Sequence, residues 1–530
     1  MPHLHGHDPS PAAGTGTPRS AGAGGAGRPR AGVPTGVRPR PFAPVVGHAG
    51  LAAMAVGALA TFATALLGPS VVEPRLRGGG PPFALTAGPD PHLVIGMSAA
   101  AIVVGGAGLG LTLAASARGW SVRPRTLLIA GFVMTAALAL VPPFGSADQL
   151  NYAAYGRMVV LGHNPYTTGA VDLPGDPITD AVEAPWREEI SVYGPLATAE
   201  QALASWLGGD SMRTTIFVLA VLNAAAFALA GWLLYRYARD RAGRLRAVLL
   251  WTANPLMLYQ LVAGMHVDTI GIALSVAALV ALRRTVDAGG WRAGVPGALL
   301  GLAVAVKATV GLALAGLLWV RRARRRTVAW LAGGFVVVAG VAYASGGPHV
   351  LDQTRSAARM VSLAVPWHLL APHLDAALGH ATSRQIISVA TIALTIGLAV
   401  LLLRALPALP EDPDGSATAF RISAALNLAW LFASSYVLPW YDGVAWALLA
   451  PLPRSRFDGV LLARTVVVSL AYLPARVVPL PADLNWLLTV GRAGIAPWLM
   501  LAVLLALVVL AVRARSPRNP RRAVAPRGVG

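Results

Sequence analysis

Long apolar runs separated by short polar clusters set the reading of this chain. The runs fall at approximately 46–67, 92–116, 125–143, 213–235, 247–264, 267–283, 327–345, 384–404, 420–438, 441–453, 459–476 and 490–512. Most have the roughly 17–25 residues that a helix needs to cross a hydrocarbon core of about 30 Å. The pattern predicts an all-α polytopic membrane protein. The block 294–320 is too long for one pass and carries arginines at both ends. Two short helices meeting near Lys307 keep both arginine clusters on one side, a device by which membrane proteins build sites at depth. With that broken pair the chain crosses about 14 times, in an expected range of about 12–14 transmembrane helices.

Composition narrows the class. Of the 530 residues, 55% are hydrophobic and only 12% are charged, where soluble domains carry about 25% charged residues. There is no cysteine, which excludes disulfides, zinc thiolates and thiol nucleophiles. The formal net charge of +20 would suit a nucleic-acid binder, but the arginines sit beside the apolar runs, so no nucleic-acid partner is expected. They follow the positive-inside rule instead. The clusters at Arg118/Arg123/Arg125, 236–246, Arg283/Arg284, 321–326 and Arg454/Arg456 are assigned to the cytoplasm. The connection 144–212 after the third run holds many acids against Arg157 and Arg187 alone, and is assigned to the outside. Both termini are then cytoplasmic, in a multi-pass protein of the cell membrane.

Three regions follow. Residues 1–45 are rich in Pro, Gly, Ala and Arg, with His3, His5 and His7 close together. That composition cannot build a core and predicts a disordered tail. Residues 46–512 form the membrane domain, with 144–212 as its large outer loop. Residues 513–530 are a basic tail placed near anionic lipid headgroups. The first apolar run starts too far into the chain, and is too long, for a cleavable signal peptide.

Four polar islands interrupt the apolar background. The first, Ser146 to Arg157, sets Asp148, Tyr152 and Tyr155 at i, i+4 and i+7, one helical face. Tyr193 follows in Ser191-Val192-Tyr193-Gly194-Pro195. Asp148 is either a carboxylate placed for chemistry or a cap on an interfacial helix with tyrosines in an aromatic belt. In the second, His266 and Asp268 are two apart and mark a helix junction. Asp268 either caps the next span or lines a polar cavity with His266. The third is Lys307, the one lysine of the chain. It either binds an anion such as phosphate or snorkels to the surface. The fourth, Pro439-Trp440-Tyr441-Asp442, is either an interfacial anchor with a capping acid or part of a site. All four islands fall on the outer side. Carboxylate, cations and aromatics together are what a transferase needs to take a hydroxyl proton, hold a phosphate and pack a sugar.

The runs SADQLNYAAYGRMVVLGHNPY, SVYGPL, NPLMLYQLVAGMHVD, VKA and PWYDGVAW resemble the actinobacterial polyprenol-phosphate-mannose-dependent α-(1→6)-mannosyltransferases of the GT-C superfamily. The resemblance runs in order through approximately residues 45–515. This chain has His-Val-Asp where relatives are expected to carry His-Asn-Asp, one amide fewer at position 267. The resemblance implies a GT-C fold with its site on the periplasmic or extracytoplasmic side. It implies a polyprenyl-phosphate mannose donor, an α-mannan acceptor on a lipid anchor, and inversion with Asp148 as the base. Lys307, His266 and Arg157 would stabilise the leaving phosphate. Asp268, Asp442, Tyr152, Tyr155, Tyr193 and Trp440 would complete the substrate site. No cofactor is expected; a divalent metal, used by some GT-C relatives, gains no support from one strong outer carboxylate. The alternatives are a GT-C transferase for another lipid-phosphate sugar such as arabinose or glucose, and a lipid-linked sugar transporter or flippase. A transporter needs polar residues at both faces, and here they gather at one.

Overall fold

The computed structural model describes residues 42–285, 290–409 and 412–515. Most of the two predicted tails, and the three N-terminal histidines, lie outside the described residues. Nineteen α-helices run in chain order among the described residues. They are α1 (Ala43–Leu67), α2 (Pro91–Ala117), α3 (Pro124–Ala139), α4 (Asp148–Val160), α5 (Pro195–Gly208), α6 (Met212–Tyr237) and α7 (Arg241–Leu250). Next come the single turn α8 (Pro255–Met257), α9 (Asp268–Leu282), α10 (Val295–Val306), α11 (Ala313–Arg321) and α12 (Arg325–Gly346). Then follow α13 (Asp352–Ala357), α14 (Ala371–Leu378), α15 (His380–Ala405), α16 (Ser416–Ala433), α17 (Asp442–Leu449), α18 (Phe457–Tyr472) and α19 (Ala496–Arg515). No strand occurs among the described residues.

Among the described residues, six stretches are long and apolar enough to cross a membrane: α1, α2, α6, α12, α15 and Ala482–Ala514; four shorter apolar helices accompany them. The protein is therefore an all-α polytopic membrane protein. Close packing rests on small residues, as expected where lipid gives no hydrophobic drive between helices. At the α1–α2 contact, a Cβ on Gly57 would lie 2.7 Å from the Gly105 Cα.

Several predicted runs are not single helices, and the breaks have local causes. The run 247–264 stops at Leu250. Pro255 cannot supply an amide hydrogen to a continuing helix, and the Asn254 side chain accepts from Leu256 N at 3.0 Å to start α8. A π-helical segment, Leu258–Ala263, follows. The block 294–320 is a broken pair, as its length requires. α10 ends at Val306, Lys307 is extended (φ −154°, ψ 124°), and one 3-10 turn leads into α11. The segment 144–212 is not a plain loop; it carries α4 and α5.

The two ends of the bundle differ in chemistry. At one, arginines meet the few acids present: Arg239 and Arg283 each lie 3.4 Å from Asp414, and Arg246 lies 2.6 Å from Asp458. At the other, Arg476 ties three segments together, bonding Glu183 at 2.7 Å and the carbonyls of Ser70 and Glu73 at 2.5 and 2.9 Å. Burial pushes the Glu73 carboxyl up to about 9, against the pull of Arg476 and Arg213.

Asp442 belongs to the packing of this bundle rather than to a polar cluster at its end. It is fully buried, ion-paired to the fully buried Arg464, and accepts from Thr465 Oγ1 at 2.7 Å. Arg464→Met strands that carboxylate, and we expect a loss of about 3–5 kcal/mol, read as a lower midpoint in thermal unfolding of the detergent-solubilised protein. Adding Asp442→Leu should recover most of it. Equal midpoints for Arg464→Met and the parent would contradict the assignment.

Candidate active site

Four chain breaks converge at the loop end. The first is the turn before α4, where Phe144 N bonds Ala263 O at 2.9 Å and Gly145 N bonds Val72 O at 2.8 Å. Gly145 sits at φ +82° against the Tyr259 ring, a conformation that glycine adopts without a Cβ penalty. This turn delivers Asp148 into the first turn of α4, where the helix dipole favours a carboxylate. The second is the π-helical exit, where Met265 takes φ 51° and hands the chain to His266. The third is Lys307, and the fourth is the 3-10 turn Pro439–Tyr441.

These breaks bring most of the sequence-predicted residues together. Asp148 Oδ2 lies 3.4 Å from the Tyr152 hydroxyl and 3.5 Å from His266 Nδ1. The Tyr152 hydroxyl is also 3.4 Å from His266 Nδ1 and accepts from the Tyr193 hydroxyl at 3.4 Å. The His266 ring stacks on Trp440 with centroids 3.5 Å apart and planes 13° from parallel. Lys307 Nζ donates to both Asp268 oxygens, at 2.7 and 2.9 Å, and rides over the Tyr441 ring at 3.9 Å. Tyr152 stands within electrostatic reach of both Asp148 and Asp268, so the two carboxylate groups share one site. The segment 144–212 is pinned to it by backbone: Gly194 N bonds Val306 O at 2.9 Å, one residue before Lys307. A Cβ on Gly194 would sit 2.3 Å from Ala305 O.

Two predicted residues, Arg157 and Asp442, do not join the cluster. Arg157 lies nine residues along α4 from Asp148, about 13 Å at the helical rise. Its guanidinium is taken by Asp176 at 2.7 Å and Asp210 at 2.6 Å. Tyr155 stands at the edge of the cluster: its ring lies 6.5 Å from that of Tyr193 and within electrostatic reach of Asp148, while its hydroxyl donates to the Glu189 and Ile190 carbonyls at 3.1 and 3.4 Å. Asp442 is held by Arg464, as described. Asp268 is not the cap of α9 but a first-turn residue paired with Lys307. Tyr441 is a site residue that the sequence pattern does not single out. The residues PWYD mark its neighbourhood, but a cation–ring contact with a distant lysine leaves no trace in spacing. Among the described residues, no group of three or more His, Cys, Asp or Glu could hold a metal ion.

Residues 44–324 match the family described as alpha-(1->6)-mannopyranosyltransferase, N-terminal domain (MptA_B family). Alpha-(1->6)-mannopyranosyltransferase A of Corynebacterium glutamicum is 32% identical over 192 residues, covering 36% of this chain and 37% of that protein. Alpha-(1->6)-mannopyranosyltransferase A of Mycobacterium tuberculosis is 29% identical over 348 residues, covering 61% of this chain and 64% of that protein. Alpha-(1->6)-mannopyranosyltransferase B of C. glutamicum is 28% identical over 221 residues, 38% of this chain and 37% of that protein. The matches thus span less than two thirds of these relatives' lengths. No solved structure matches the chain.

The Lys307–Asp268 pair has a measurable signature. Lys307→Met leaves Asp268, 3% exposed, without its cation, so folded yield in detergent and resistance to proteolysis should both drop. Lys307→Met with Asp268→Asn removes both charges and should recover most of the loss. A single variant as stable as the double would contradict mutual neutralisation.

Proposed function

The chain belongs to the alpha-(1->6)-mannopyranosyltransferase family, and from that premise we propose that it is a membrane mannosyltransferase with Asp148 as its general base. The donor is a polyprenyl-phosphate mannose, and the acceptor is an α-mannan chain on a lipid anchor that gains an α-(1→6) link. One observation carries the choice of base. Asp268 is 3% exposed and held by Lys307, and Asp442 is fully buried and held by Arg464; Asp148 is 26% exposed and has no Lys or Arg partner among the described residues.

The chemistry follows from that difference. The acceptor hydroxyl oxygen attacks C1 of the donor sugar while its proton passes to Asp148. The bond from C1 to the phosphate oxygen breaks with its electron pair, and the lipid phosphate departs. Tyr152 and His266 hold Oδ2, and Oδ1 carries no hydrogen bond among the described residues, which leaves it for the acceptor. One free carboxylate supports a single displacement, hence inversion at C1. The Lys307–Asp268 pair is neutral as a unit, so Lys307 is better placed to hydrogen-bond a sugar than to carry a phosphate charge alone. Tyr441 and Trp440 provide apolar ring surface beside it.

The loop end faces the extracytoplasmic side, and the arginine-rich end, with both termini, faces the cytoplasm. The charge asymmetry supports this orientation. The all-helical fold, with its base just after the third apolar run, is consistent with the GT-C class.

Asp148→Asn keeps shape and hydrogen bonding but loses basicity, and mannose transfer should fall by roughly 10²–10⁴. Membranes supplied with radiolabelled polyprenyl-phosphate mannose and a short α-mannoside acceptor measure this. Near-normal turnover would remove Asp148 as the base. For orientation, cysteines replacing Pro174 and Ala323, both exposed, can be introduced into a chain that has none. On intact cells a membrane-impermeant thiol reagent should label the first and not the second; the reverse pattern would invert the topology.

A further inference from the structure

At the loop end, a cavity of about 1150 Å³ opens between α13, the start of α15 and Tyr436. Pockets for small ligands usually occupy roughly 300–1,000 Å³, so this one has room for a headgroup and part of a chain. It is separate from the Asp148 cluster and lies beside it. Residues 360–362 pair with the strip 435–437: Ser362 N bonds Ser435 O at 2.9 Å, and Ser362 Oγ donates to Val437 O at 3.1 Å. That strip leads directly into Trp440 and Tyr441. On the other side, Thr354 Oγ1 donates to Val192 O at 3.2 Å, one residue before Tyr193. Tyr436, which lines the cavity, is within electrostatic reach of Asp148 and Lys307.

The walls combine cations with apolar surface. Arg355, Arg359 and Arg384 line the cavity, with His380. Arg355 is shared with Asp352 at 3.3 Å, and Arg384 with Asp375 at 2.8 Å. Arg359 has no ion-pair partner among the described residues. Arg384 Nη1 and Oδ1 of its partner Asp375 are both buried without a hydrogen-bond partner. Three arginines thus face Asp352 and Asp375, with Glu189 a further acid within electrostatic reach of Tyr436. Below it, α15 presents Val389, Ile392 and Ile396 at 63%, 59% and 60% exposed. They share one helix face, at i, i+3 and i+7, and run from the cavity along the span.

We propose that this cavity holds the phosphate of a long-chain polyprenyl phosphate, gripped by Arg359 and Arg384, with the isoprenoid chain laid along the Val389–Ile392–Ile396 face of α15. The inference rests on the lipid-phosphate donor reading above and moves the phosphate from the neutralised Lys307 to this cavity. Arginine suits the role, because its planar fork matches phosphate oxygens and stays charged. The donor sugar then reaches past Tyr436 toward Asp148, and the released lipid phosphate stays in the cavity.

The test is direct titration of the purified full chain in detergent with undecaprenyl phosphate. Neutral undecaprenol, phosphatidylglycerol and inorganic phosphate serve as comparison probes. Arg359→Gln removes a charge that holds nothing else in place, so folding should not suffer. It should weaken undecaprenyl phosphate binding by about tenfold, the loss expected for one charge-assisted hydrogen bond. Arg359→Gln with Arg384→Gln should weaken it further, with the thermal midpoint measured alongside. Undecaprenol binding should not change. Undecaprenyl phosphate binding that is unaltered in Arg359→Gln would overturn the cavity assignment while leaving the donor reading intact. Equal competition by phosphatidylglycerol or inorganic phosphate would reassign the site to a general headgroup or to free phosphate. No binding of undecaprenyl phosphate by the parent chain would overturn both the cavity and the donor.

Discussion

Lys307 and Asp268 face each other from two interrupted helices, and neither charge is tolerable in apolar surroundings without the other. An ionised group taken from water into such an interior costs several kcal/mol unless a partner and further hydrogen bonds compensate it. The chain meets that constraint by breaking α10 at Lys307 and starting α9 at Asp268, so that two short contacts close the pair. Tyr441 adds its ring face beneath the ammonium. Once both breaks are fixed, the backbone of segment 144–212 can dock on the open end of α10 through Gly194, and this brings Tyr193 against Tyr152. The pair therefore fixes where the loop end folds, as well as neutralising two charges.

The chemistry depends on what that pairing leaves over. Asp268 and Asp442 are each held by a cation, Lys307 and Arg464 respectively. Asp148 is held only by a phenol and an imidazole, in the first turn of a helix and with access to solvent. A free carboxylate beside a neutralised one is an arrangement for accepting a proton rather than for binding a cation. The His266–Trp440 stack braces the imidazole, and Tyr193 braces the Tyr152 phenol, so aromatic contacts set the geometry around Oδ2.

The apolar runs of the sequence were enough for the membrane class, the broken pair around Lys307 and the position of Asp148, because hydropathy, length and flanking arginine act locally. The spacing of Asp148, Tyr152 and Tyr155 likewise predicts one helical face, but of the two hydroxyls only that of Tyr152 reaches the carboxylate. Tyr155 turns its hydroxyl to a neighbouring backbone, which no periodicity encodes. The resemblance assigns Arg157 and Asp442 to the substrate site together with Lys307 and Asp148. They differ because Asp176, Asp210 and Arg464 reach them across the fold, and long-range ion pairs leave no mark in spacing. For the same reason, the residues within 352–389 that line the cavity gave no signal: only the fold brings Arg355, Arg359 and Arg384 to one cavity.

The central claim is that a single uncommitted carboxylate performs one displacement. The anomeric configuration of the mannose in donor and product, read by NMR after transfer from a polyprenyl-phosphate mannose of defined anomer by the purified protein, tests it most directly. Opposite configurations in donor and product are the expected result. The same configuration in both would rule out a single in-line displacement and would contradict the account.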